Sequence, residues 1–468
     1  MLKKQNTINF TEGRFEKKII RFVIPLMLAY LFQQMYNSAD LIFSGNYIGK
    51  EASAAIGASS MLITLAIGLF GGLSVGMGIL FSKAYGAHDF KAQDRLGRLV
   101  MLLSISVGGA LTVLGLIFAP VALSLMQTPD DILAMASSYI RIYFLSIIPM
   151  MLFNMSAGVL RAAGNSRSPM IFQTIGGGIN VILDWLFITS WHDGILGVAA
   201  ASVIAQTFSA VATYVYYLRD KKKHFDTHRE MGDIKEWKKE DYDVPASMKG
   251  MVQAIFALGL PVGIQNMMMT LSNVFVQANI NILGVDAIAA FTDYYKIELF
   301  LYYPIISFGQ AVLFMVGQNL GAQKYDRIKI AIRSTLKISL PLVAIIEVAL
   351  FIFCGFFYGI FSPQQEVIDL GVQMTRLTTP FYLIYAFLEV YSNVARSLGK
   401  TKSAMIVSIV CFAGMRAGML AVYRAAGILG ILNVAAIYPI TWGIAAVWYF
   451  IIWKKAAKKI EDHATGGV

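Results

Sequence analysis

Residues 24–44 read IPLMLAYLFQQMYNSADLIFS, and this stretch decides the fold. It is apolar enough to cross a membrane, yet it holds Gln33, Tyr36, Asn37 and Asp40. The spacing is i, i+3, i+4 and i+7, which puts all four on one face of a helix. A soluble amphipathic helix has an apolar stripe on a polar cylinder, whereas this one has a polar seam on an apolar cylinder. An aspartate inside a membrane span is costly and faces a partner, a cavity or a pathway. The competing structural reading is an acid that only pairs helices.

The whole chain agrees with a membrane setting. Its 468 residues are 57% apolar and only 14% charged, where a soluble domain carries about 25% charged residues. Apolar runs of about 18 residues or more recur from end to end, as membrane helices require. The alternating segments of a barrel are absent. Twelve spans are expected, at 19–45, 52–82, 96–120, 132–160, 168–190, 195–218, 251–283, 286–320, 328–358, 367–395, 402–423 and 428–453. No cleavable signal precedes the first. Cys354 and Cys411 lie in apolar runs, which argues against a disulfide framework or a thiolate metal site.

The net charge of +11 points to topology rather than nucleic acid. Most of the 39 lysines and arginines fall at the termini and in alternate loops, for example Lys3, Lys4, Lys17, Lys18, Lys83, Arg161, Arg167, Lys222, Lys223, Arg229, Lys235, Lys238, Lys239, Lys324, Arg396 and Lys459. The intervening loops, such as Pro129-Asp130-Asp131 and His192-Asp193-Gly194, are short and poor in cations. This places both termini in the cytoplasm and the protein in the cell membrane. The polar, charged stretch 219–250 reads as a cytoplasmic linker between six-helix bundles at 1–218 and 251–468.

Those halves repeat. Gly49-Lys50-Glu51-Ala52 matches Gly284-Val285-Asp286-Ala287, Gly86-Ala87 matches Gly321-Ala322, Arg141 matches Arg376, and Arg161-Ala162-Ala163-Gly164 matches Arg396-Ser397-Leu398-Gly399. Every pair is 235 residues apart. Six spans per repeat is even, so both halves enter the membrane the same way, with their axis along the membrane normal and a cavity between them.

Two further first-half helices carry seams. Asn180 and Asp184 stand at i, i+4, with Gln173 one heptad earlier, and Ser202, Gln206 and Ser209 stand at i, i+4, i+7. Asp40, Asp184 and Ser202 all fall roughly 8–10 Å inside the outer boundary at a rise of about 1.5 Å per residue. Such an oxygen-rich cluster can share a proton between two acids or coordinate a hard cation, and a Na+ at Asp40, Asn180 and Asp184 is the metal option. A helix–helix hydrogen-bond network is the structural alternative. Gly176, Gly177 and Gly178 would allow close helix approach beside it.

The second half differs. Asn266, Thr270, Asn273 and Gln277 line the seventh span without a carboxylate, and charges appear as Asp293, Lys296 and Glu298 on the eighth span and Glu389 on the tenth. Asp293 and Lys296 are expected to pair. These charges form either a neutralising cluster or part of a substrate cavity, together with Gln33, Asn37, Gln206, Asn266 and Asn273. Glu347 and Arg416 are deep and have no evident partner in the sequence. No phosphate-cradling motif stands out, which argues against ATP-driven export, a cofactor or an enzyme.

As a set, the first-span Asp, the Gly-Lys-Glu-Ala entry, the Gly-Ala pair, the Arg161-to-Pro169 turn and Asn180 with Asp184 resemble the MATE family of multidrug and toxin extrusion transporters, with the DinF-like branch nearest. The resemblance implies an all-α, twelve-helix protein of two pseudo-symmetric bundles in a V-shaped, rocker-switch antiporter driven by H+ or Na+. It also implies a first-half cation site at Asp40, Asn180 and Asp184, with Tyr36 and Tyr139 nearby and Ser202 where relatives carry Thr. The NorM-like branch has acids on the seventh and tenth helices, where Met269 and Tyr385 stand here. The expected activity is export of amphipathic, often cationic, organic compounds by a functional monomer, with no nucleic-acid partner. A flippase for a lipid or lipid-linked saccharide is the alternative.

Overall fold

A computed structural model describes residues 7–189, 194–230 and 244–464. Lys3, Lys4, His192, Asp193, Lys235, Lys238 and Lys239 lie outside the described residues. So do the side chains of Asn37, Lys222, Lys223, Arg229 and Lys459.

Every regular element among the described residues is helical: α1 (Glu16–Phe43), α2 (Lys50–Gly86), α3 (Phe90–Leu125), α4 (Asp130–Phe144), α5 (Ile147–Ala162), α6 (Arg167–Thr189), α7 (Gly194–Glu230), α8 (Met248–Ile280), α9 (Val285–Gly321), α10 (Tyr325–Phe361), α11 (Gln365–Thr378), α12 (Tyr382–Ser397), α13 (Thr401–Ser408), α14 (Arg416–Ala425) and α15 (Ile431–Ala464). Helices suit a membrane because every backbone group is satisfied within the segment.

Ten described spans are long and apolar enough to cross a membrane. An eleventh is the pair α4–α5, bent by 44° at Leu145–Ser146. Pro149 lies just past this bend and cannot donate the backbone bond that would continue α4. The expected span 367–395 is divided too. It forms α11, a 3-10 turn at Thr379–Phe381 and α12. Pro380 breaks it, and Asp369, Arg376 and Glu389 lower its hydropathy. The expected span 402–423 is α13 and α14 joined by a π-helical turn at Ile409–Met415.

The repeat is visible in the backbone. Left-handed conformations occur at Gly49 and Gly284, at His88 and Gln323, and at Gly164 and Gly399. Each pair has the 235-residue spacing of the sequence repeat. The four glycines of the first and last pairs take a φ that disfavours other residues.

By packing the chain forms two compact units: Met1–Asn9 with Ile24–Gly263, and Phe10–Val23 with Ile264–Val468. The first part of α8, up to Gly263, therefore packs within the first unit. Glycines explain how. Gly259 and Gly263 of α8 meet Gly72 and Gly76 of α2, so that a Cβ on Gly72 would overlap the Gly263 backbone nitrogen and one on Gly76 would stand 2.6 Å from the Ile255 carbonyl oxygen. Two small-x-x-x-small faces thus bring the helix backbones into contact.

Gly72→Ala is expected to cost about 1–3 kcal/mol of stability, as overpacking against backbone does. Gly71→Ala, where a Cβ meets nothing within 4 Å, should leave it unchanged. Apparent melting temperatures in detergent check the pair, and equal values would contradict the packing.

Candidate functional site

Four helices of the first unit deliver the polar seams to one place. α1 supplies Tyr36 and Asp40, α4 supplies Tyr139 and Tyr143, α6 supplies Gln173, Asn180 and Asp184, and α7 supplies Ser202, Gln206 and Ser209. α6 comes close because its glycines have no side chain. A Cβ on Gly177 would stand 2.7 Å from the Tyr36 ring, and one on Gly176 would overlap the Ser209 hydroxyl. Gly178 meets nothing within 4 Å, so only two of the three expected glycines serve the approach.

Asp184 is 0% exposed, Asn180 1% and Asp40 8%. The Asp40 carboxyl interacts directly with the Asp184 carboxyl and with the Ser202 hydroxyl. Written as carboxylates, two acids have no proton to donate to each other. Among the described residues, Asp40 Oδ1, both Asp184 oxygens and both amide atoms of Asn180 have no hydrogen-bond partner. Buried polar atoms are nearly always paired, so five orphans in one cluster call for an explanation.

Tyr36 closes one side of the cluster. Its hydroxyl lies 3.3 Å from Gln206 Nε2 and also interacts with Gln173 and Gln33. Gln33 and Gln206 therefore join the Asp40 cluster through Tyr36. Tyr139 is buried and within electrostatic range of both aspartates. Tyr143 was not singled out in the sequence. It stacks near Tyr139, ring centroids 5.8 Å apart, and lines the small cavity beside Asp40 and Asn180. The i, i+4 spacing of the two tyrosines was the available signal.

The set fits a proton or a hard cation. Two acids in contact can hold one proton between them. One carboxylate pair with the Asn180 carbonyl and the Ser202 hydroxyl also offers hard oxygen ligands. Among the described residues, no group of three or more His, Cys, Asp or Glu is placed to hold a metal ion.

The second-unit residues do not form one cluster. Lys296 pairs with Asp293 at 3.0 Å and sits over the Phe361 ring at 4.9 Å. Glu389 is elsewhere: Asn393 Nδ2 donates to its Oε1 at 2.7 Å, and it packs against Gly309 of α9. Gly309 is sixteen residues along α9 from Asp293, or about 24 Å. The expected grouping of Asp293, Lys296 and Glu389 is therefore corrected, because Glu389 lies further along α12 and meets α9 at Gly309. Asn266 and Asn273 are half-buried on α8.

Three acids or bases without sequence partners gain them in the fold. The Tyr382 hydroxyl donates to Glu298 Oε1 at 2.6 Å. Arg416 Nε donates to Thr441 Oγ1 at 3.3 Å, and its guanidinium lies over the Tyr438 ring at 4.3 Å. Glu347 Oε1 accepts from the Leu383 N–H at 2.7 Å.

This is a multi-pass membrane protein with a buried, paired-carboxylate site in its first unit. The sequence model described as MatE matches it twice, over residues 25–186 and 261–421, in step with the internal repeat. The chain is 27% identical over 448 residues to the probable multidrug resistance protein YoeA of Bacillus subtilis, covering 93% of each chain. It is 20% identical over 409 residues to the multidrug export protein MepA of Staphylococcus aureus, covering 87% of each. The crystal structure of MATE in the bent conformation superposes with a TM-score of 0.86 at 21% identity, covering 99% of both chains. The chain belongs to the MatE family of multidrug efflux transporters.

If Asp40 and Asp184 act as one unit, their effects do not add. Asp40→Asn and Asp184→Asn are each expected to lower dye export at least tenfold, and the double variant should be no worse than the weaker single. Export rates normalised to membrane-inserted protein check this, and additive losses would contradict a shared site.

Proposed function

We propose that the protein is a secondary active exporter of the cell membrane, with both termini cytoplasmic, which exchanges amphipathic, often cationic, organic compounds for protons. One observation carries the reading: Asp40 and Asp184 are buried in contact, and five polar atoms of Asp40, Asp184 and Asn180 have no hydrogen-bond partner among the described residues. An acid pair of this kind takes up one positive charge readily, since two adjacent ionised carboxylates in a low-dielectric interior repel each other.

In this reading, uptake of the proton removes one of the pair's two negative charges and changes the contacts of Asp40 with Asp184 and Ser202. Tyr36 transmits the change, because its hydroxyl links the acid pair's helix to Gln33, Gln173 and Gln206. Those carboxamides offer neutral polar contacts to a substrate. Loss of the proton to the cytoplasm returns negative charge to the site, which favours a cationic compound. The names of YoeA and MepA support multidrug substrates, and the lack of Lys or Arg in the first-unit seams weighs against an anionic lipid head group. Na+ is the other candidate for the coupling ion at the same residues, completed by backbone carbonyls or water.

Export of an ethidium-like dye from vesicles carrying only a pH gradient, with Na+ rigorously removed, tests the ion. Proton coupling predicts full export. Loss of export, with rescue by a Na+ gradient at constant pH, would replace the proton with Na+ and leave the site in place.

A further inference from the structure

Among the described residues each unit contains a broken apolar stretch, α4–α5 and α11–α12, and a broken helix leaves backbone groups without intrahelical partners. In hydrocarbon such groups need a partner from the protein. In the first unit the break at Leu145–Ser146 follows α4. The Phe144 carbonyl there accepts a hydrogen bond from Thr112 Oγ1 of α3 at 3.1 Å. In the second unit the break at Thr379–Phe381 precedes α12. The Leu383 N–H there donates to Glu347 Oε1 of α10 at 2.7 Å, and the Tyr382 N–H faces the same carboxylate. Thr112 and Glu347 are 235 residues apart, which makes them the same position of the repeat. Both are buried, at 7% and 6% exposure.

We propose that this repeat position is the latch of the broken span in each unit, and that Glu347 is a positioning residue for transport rather than a carrier of the coupling ion. Different chemistry serves the two breaks because they expose different groups. A hydroxyl donates to the carbonyl at the end of α4, and a carboxylate accepts from the Leu383 N–H in the first turn of α12. The latch at Glu347 fixes where Tyr382 begins its helix. From there the Tyr382 hydroxyl reaches Glu298 and the Tyr294 hydroxyl at 3.1 Å, which itself meets Thr378 at 3.1 Å. The Trp442 ring packs on Tyr382 with centroids 4.8 Å apart. One carboxylate thus orders the polar interior of the second unit from the backbone outward.

Glutamine separates the two roles, because its side-chain oxygen still accepts from an N–H but it cannot release a proton or bind a cation by charge. Glu347→Gln is expected to keep dye export within about twofold of wild type and to keep the melting temperature. Glu347→Ala should lose most export and melt several degrees lower. In a protein whose only tryptophan is Trp442, the alanine variant should shift the emission while the glutamine variant does not. Thr112→Val, nearly isosteric but without the hydroxyl, should slow export severalfold without changing dye affinity. Glu347→Gln that inserts and melts normally yet fails to export would overturn the proposal in favour of an ion-carrying acid. Full export by Glu347→Ala or by Thr112→Val would overturn it as well. The glutamine and valine variants decide the question even where the alanine protein fails to accumulate.

Discussion

Two carboxyl groups in contact inside a helix bundle constrain everything built around them. Each loses much of its hydration, and each raises the cost of ionising the other. The surroundings of Asp40 and Asp184 answer this with neutral groups only: Ser202, Asn180, and the Tyr36 hydroxyl among three glutamines. Among the described residues, no lysine or arginine lines the small cavity beside them. A permanent counter-ion would fix the charge state, whereas neutral ligands leave it open to an exchangeable cation. Gly176 and Gly177 are part of the same requirement, since side chains there would push α6 away from Tyr36 and Ser209.

The two halves share a frame and divide the chemistry. Left-handed residues, helix breaks and the family match recur at the same spacing. The acid pair does not. At the repeat positions of Asp40, Tyr139, Asn180 and Asp184 stand Phe275, Met374, Met415 and Met419. The buried charges of the second unit are instead engaged by the protein: Glu298 by Tyr382, Glu347 by the start of α12, and Arg416 by Thr441 and two aromatic rings. An arginine held over aromatic faces is a tethered cation. The second unit therefore meets its buried charge internally, and in the proposed function the first unit leaves its charge for a mobile cation.

Much of this was legible in the sequence because membrane helices are local objects. Length and hydropathy gave the spans, and a 3.6-residue period gave the seams at Tyr36–Asp40, Asn180–Asp184 and Ser202–Gln206. Equal depth, counted at 1.5 Å per residue, was enough to bring three helices' oxygens to one level. What failed to show was whatever depends on contacts across the chain. Glu389 and Asp293 looked like one cluster because both sit on apolar spans, but depth along α9 separates them. Tyr382 for Glu298 and Leu383 for Glu347 are partners from helices far away in sequence, and one of them is a backbone group that becomes available only because Pro380 breaks the span.

The central claim is that one positive charge and the transported compound compete for the Asp40–Asp184 pair. Proton release on dye binding to the purified protein, followed with a pH indicator in weakly buffered, Na+-free solution, tests it most directly. The account predicts release of about one proton per dye bound by the wild type, as for a pair sharing a single proton, and none from the Asp40→Asn, Asp184→Asn double variant. Dye binding without proton release by the wild type, or undiminished release by the double variant, would contradict it.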